Sequence, residues 1–115
     1  MTDFTDTRPV LAMLRETGLP AVYRQWAPAK PPPMPYIVFY RSGRADLGAE
    51  DGNFFKAATW RAELYSEGPD IDAMARIEEA LDAHQAAYQA DEIGGTGLDV
   101  PMTAVYDINL IGASL

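Results

Sequence analysis

The residues able to do chemistry are few, and their spacing does not assemble them. The chain has no cysteine and one histidine, His84. That removes disulfides, thiolate nucleophiles and thiolate metal sites together. A lone imidazole is a poor metal-ligand set. Near the end of an expected helix, a protonated His84 would instead favour the helix C-terminal dipole. Glu78, Glu79 and Asp82 can be drawn as an acid–base pair, but at helical spacing they flank an apolar stripe and read as a solvated face. Glu50-Asp51-Gly52-Asn53 has the flavour of a calcium loop without the alternating ligands or closing glutamate of an EF-hand. Gly94-Gly95-Thr96-Gly97 neither follows a strong strand nor opens a helix, and no lysine lies beside it, so it reads as a turn rather than a phosphate cradle. Ser42, Ser66 and Ser114 have no candidate base beyond His84, which leaves no Ser–His–Asp arrangement to argue. The expectation is a protein with no catalytic residues, no cofactor and no metal site.

The totals set further bounds. A chain of 115 residues is one domain by length, 1–115, and buries about 65% of its unfolded surface. Its 48% apolar content, with four Phe, six Tyr and two Trp, fits a globular core. Seventeen acidic against nine basic residues give a net charge of −8. That opposes general nucleic-acid binding, which needs a basic face, and docking on anionic lipid. It is also an ordinary solubility device. The start, Met1-Thr2-Asp3-Phe4-Thr5-Asp6, carries acid where a signal peptide carries base. No apolar run approaches the ~20 residues of a membrane span.

The elements follow from periodicity and punctuation. Asp6 or Thr7 can cap a first helix over about 8–17, with Val10, Leu11 and Leu14 in its stripe and Gly18 and Pro20 as its stop. Residues 21–26 read as a strand. The run Pro28-Ala29-Lys30-Pro31-Pro32-Pro33-Met34-Pro35 fits neither a helix nor a central strand and reads as a stiff connector. Its PxxP spacing beside Lys30 is compatible with an SH3-like ligand, but a rigid connection is the stronger reading. Tyr36–Tyr40 is a strand covered on both faces, or covered by a partner on the second. Residues 42–53 form a long loop or the tip of an extended hairpin. Phe54 to Ser66 is a long strand with Ala58, Trp60, Ala62 and Leu64 on one face, and Thr59, Arg61, Glu63 and Tyr65 on the other. Ser66 or Asp70 can cap a second helix over about 70–86, striped by Ile71, Met74, Ile77 and Leu81. A short strand over 87–93 and a last strand over 100–111 complete the order α-β-β-β-α-β-β. The fold class is α+β, a single domain with an antiparallel-rich sheet and two helices on one face. The other face, with Arg61, Tyr65, Val105 and Ile111, suits an assembly surface as well as ordinary half-exposed sheet.

Several phrases occur together in a telling order. Thr17-Gly18-Leu19-Pro20 closes the first helix, and Pro35-Tyr36-Ile37-Val38 opens the second strand. The 45–55 loop carries scattered acids and then aromatics. Glu63-Leu64-Tyr65 lies on the third strand and Ile77-Glu78-Glu79-Ala80-Leu81 in the second helix. Over about 8–111 this series resembles the tail-terminator, or tail-completion, proteins of long-tailed bacteriophages and prophages. The chain departs from that pattern in its proline run at 31–35. The resemblance implies a non-enzymatic virion protein, assembled in the host cytoplasm. It would form a ring, usually hexameric, that caps the tail tube, stops its polymerisation and joins it to the neck under the head. The implied partners are other copies of itself, the major tail tube protein and a neck or connector protein. DNA would only pass through the lumen, and no membrane is involved. Arg and aromatic side chains anchor interfaces, so Tyr40, Arg41, Arg44, Phe54, Phe55 and Arg61 are the candidate contact residues, although Phe54 and Phe55 could equally enter the core. Two other roles fit the same residues: a neck adaptor or head-closure subunit, and a small ligand-binding or regulatory α+β domain.

Overall fold

In the computed structural model, which describes residues 7–24, 31–44, 47–49, 52–55, 57–93 and 102–111, the periodicities resolve into two helices and seven strands. In chain order these are α1 (Thr7–Arg15), β1 (Ala21–Tyr23), β2 (Tyr36–Arg44), β3 (Leu47–Ala49), β4 (Gly52–Phe55), β5 (Ala57–Tyr65), α2 (Ile71–Ala83), β6 (Ala87–Glu92) and β7 (Met102–Ile111). The α+β class holds, with both helices contributing to one core. The sheet runs β1-β2-β5-β7-β6, antiparallel throughout except for a parallel β1–β2 pair. A parallel pair cannot be joined by a tight turn and needs a long crossover. The proline-rich stretch between Tyr23 and Tyr36 supplies that crossover.

One layer of side chains fills the space between sheet and helices. Ile37 and Phe39 of β2, Ala58, Trp60, Ala62 and Leu64 of β5, and Ala104, Tyr106 and Ile108 of β7 pack against Val10, Met13 and Leu14 of α1 and Ala73, Ile77 and Leu81 of α2. The register explains the shared face. Ile37 faces Leu64, Phe39 faces Ala62, and Trp60 faces Ile108, so alternate residues on neighbouring strands point the same way. Trp60, Phe39 and Tyr23 meet at centroid distances of 5.5 to 6.4 Å.

The helix ends obey local chemistry. α1 tightens after Arg15 through Glu16, Thr17 and Gly18 N–H bonds to the carbonyls three residues back, then Gly18 turns left-handed at φ 82°. The buried Thr17 hydroxyl donates to Leu14 O at 2.6 Å and accepts from Leu19 N–H at 3.0 Å, so it carries no unmet polar group. Asp70 caps α2, its Oδ1 accepting from Ala73 N–H at 2.9 Å. Ser66 is not the cap. It is buried and bonds Gly68 O at 2.7 Å and the Thr103 hydroxyl at 2.6 Å.

One expectation is corrected and one alternative is decided. Ile71 is not part of the buried stripe but stands 71% exposed. The stripe that packs is Ala73, Ile77, Ala80 and Leu81, with Met74 partly buried against the same core, and at ~100° per residue Ile71 projects about 120° away from Ile77. Of the two readings of 42–53, the tip of an extended hairpin is the one that holds. β2 runs on to Arg44, and β3 and β4 pair with each other as a separate two-stranded ribbon beyond the main sheet. No helix among the described residues is long and apolar enough to cross a membrane.

Candidate functional site

The face of the sheet away from the helices has its own order. Alternation brings Thr59, Arg61, Glu63 and Tyr65 to it from β5, as the sequence implies. The register then sets Tyr36 against Tyr65, Val38 against Glu63 and Tyr40 against Arg61. On the other side Asp107 faces Arg61 and Val105 faces Glu63. Glu63 is the hub. Its Oε2 accepts from Arg61 Nε at 3.2 Å, and its Oε1 accepts from the Tyr65 hydroxyl at 3.0 Å. The Tyr65 ring stacks on Tyr36 with centroids 5.2 Å apart and planes 16° from parallel. Partial burial, then the hydrogen bond and charge of Glu63, push the Tyr65 phenol up to about 12. Val38 and Val105 on this face are buried although no helix covers them. The result is a fixed strip of aromatic and charge-paired side chains rather than a set of independently solvated ones.

Of the six candidate contact residues, the structure brings two together: Tyr40 and Arg61 are cross-strand neighbours on this face. Arg41 pairs with Trp60 instead and is exposed beside a bulge between Arg41 and Gly43. At that bulge Ser42 Oγ donates to Thr59 Oγ1 at 3.0 Å. Arg44 ends β2, and Phe54 and Phe55 lie on β4. The side chains of these three lie outside the described part. Tyr36 belongs to the strip and was missed. Its partner Tyr65 is far along the chain, and only the register brings them together.

The ribbon is the second feature. Leu47 faces Phe55 and Ala49 faces Gly52, and neither strand pairs with the five-stranded sheet. The last rungs of the main sheet at this end are Arg44–Ala58 and Ala57–Ile111. The ribbon therefore continues the β2–β5 hairpin past the last rung of the main sheet.

The titratable residues elsewhere do structural work. His84 caps the C-terminus of α2, and its Nε2 lies 2.9 and 3.0 Å from the two carboxylate oxygens of Glu16, tying the ends of the helices together. Glu78 accepts from the buried Tyr106 hydroxyl at 2.9 Å. Burial first, then this contact, raises the Tyr106 phenol well above its usual range. Asp72 and Arg76 pair at 3.0 Å along the exposed side of α2. No group of three or more His, Asp or Glu able to hold a metal ion occurs among the described residues. Two open clefts border α2, of ≈ 290 Å³ beside Thr17 and Arg76 and ≈ 370 Å³ beside Ile71 and Ala90. Against known protein families and curated proteins, the chain finds no match.

Proposed function

We propose that the protein is a structural subunit that closes into a ring at the end of a phage tail tube, stops the tube from growing and offers a surface to the neck. The β3–β4 ribbon carries this reading. Among the described residues its strands pair only with each other, and an isolated two-stranded ribbon is marginal in water, so it suits an arm that rests on a neighbour. The open sheet face adds to it. Paired tyrosines beside an Arg–Glu pair form the kind of surface that ordered contacts use. The resemblance in the order of sequence phrases points the same way. The role asks for no catalysis and fits the scarcity of reactive side chains.

The test asks first whether a major tail tube protein is encoded beside this chain, and then reconstitutes the two together. A terminator binds tube ends and shortens the tubes that form, which electron microscopy reads directly. Tubes of unaltered length with no protein at their ends would remove the proposal. Binding only to the connector, and never to the tube, would favour the neck-adaptor role.

A further inference from the structure

The net charge of −8 conceals a division that only the topology exposes. α1 packs against β1, and α2 against β6. β1 and β6 are the two edges of the five-stranded sheet, roughly 19 Å apart at the usual strand spacing. On the β1 side, residues 7–24 and 31–44 hold five arginines and one glutamate, net +4. On the β6 side, residues 66–93 hold eight carboxylates and one arginine, net −7 with His84 neutral. Arg15 and Arg24 are exposed on the first side, and Asp91 and Glu92 on the second.

We infer that copies of this chain associate head to tail, the α1/β1 edge of one against the α2/β6 edge of the next. The inference rests on the ring reading and adds to it which surfaces meet. Among the described residues each edge strand is hydrogen-bonded on one side only, so each offers a row of backbone donors and acceptors. Like charges exclude the two symmetric alternatives. Pairing β6 with β6 would bring two net −7 regions together, and β1 with β1 two net +4 regions. The heterologous contact alone joins opposite charges, and a heterologous contact that closes on rotation makes a ring. A second copy is the fitting occupant because the charge it needs is already present on this chain's far edge.

The experiment uses two full-length variants, Arg15→Glu/Arg24→Glu and Asp91→Lys/Glu92→Lys, with sedimentation velocity on the protein alone and on tube ends. All four sites are exposed, and circular dichroism checks that each variant folds. Each variant alone should associate more than about tenfold more weakly than the parent, since two reversals take the basic edge from +4 to 0 or the acidic edge from −7 to −3 and put like charges at the altered positions. An equimolar mixture should recover assembly, because alternating copies again present opposite charges at every contact. Raising the salt from low to high should weaken the parent's association. If both variants assemble like the parent, the edge contact is wrong while the ring reading stands. If each variant fails and the mixture does not recover, the acidic edge serves a different, basic partner and the inference falls. A parent that stays monomeric even on tube ends overturns both.

Discussion

Removing the ribbon separates folding from assembly. Arg44 and Ala58 face each other in register, so an Asn-Gly turn can replace 45–57 and close β2 onto β5 directly. The ribbon contributes three register pairs, each worth roughly 0.2–1 kcal/mol. Ordering its backbone opposes that gain, and an isolated two-stranded ribbon is marginal, so it adds no net stability to the isolated subunit. Shortening the connection from thirteen residues to two lowers the loop-closure cost by about 1.7 kcal/mol. The variant should therefore be as stable as the parent or up to about 2 kcal/mol more so, a rise in Tm of several degrees for a domain of this size. Urea denaturation reads the stability. The same variant should lose the ability to halt tube growth, read by microscopy. A drop of more than about 2 kcal/mol in the isolated subunit would refute the reasoning, since it would place the ribbon in the fold's own core. A stable variant that still terminates tubes would refute the arm.

Tyr65 should couple stability to alkaline pH. Its phenol ionises near 12 in the fold and near 10 when unfolded, so its contribution is complete below pH 10 and is lost as pH rises toward 12. Exposure keeps this to about 1 kcal/mol, and Tyr65→Phe should flatten that part of the pH–stability curve. Asp70→Ala removes the α2 cap and should cost about 1 kcal/mol by urea denaturation, with Asp70→Ser close to neutral. Trp60→Ala, at a site only 1% exposed, should cost about 3–5 kcal/mol and threaten folding outright. Ile71→Ser should stay within about 0.5 kcal/mol in the subunit, whereas Ile77→Ala on the buried stripe should cost about 2–5.

Much of the fold was legible because its signals are local. The alternation through Thr59–Tyr65 sorted core from open face correctly, since period two needs no knowledge of partners. Gly18, Asp70 and the helix spans were readable for the same reason, to within a few residues. What failed was geometry between elements. Ile71 looks like a stripe member on a helical wheel, but the sheet contacts the helix on the arc centred near Ile77, and a first-turn residue can point clear of it. The parallel β1–β2 pair was hidden because strands in series normally meander, and only the crossover's length and stiffness hinted otherwise. The ribbon was half visible: three glycines and three acids in 42–53 argue for a loop, while the register that makes it a hairpin arm lies in its flanks. The Tyr36–Tyr65 stack and the Glu16–His84 contact join residues far apart in sequence, so no window along the chain contains either.

The same limit governs charge. A total of −8 invites a single-sign reading in which copies repel and, in the proposed ring, the lumen is acidic. The topology weakens that step. Arginines early in the chain fall at one edge of the sheet and the carboxylates of α2 and β6 at the other, so in the head-to-tail contact proposed above much of the charge would meet its opposite on a neighbour. On the open face Arg61 and Glu63 already neutralise each other at 3.2 Å. Within the −7 counted for the acidic edge, Asp72, Glu79 and Asp82 are exposed on the outer side of α2, so a ring that used only the β6 rim would leave these three to face a channel. The polarity of the lumen then depends on which way the helices turn within the ring, and not on the net charge of the subunit.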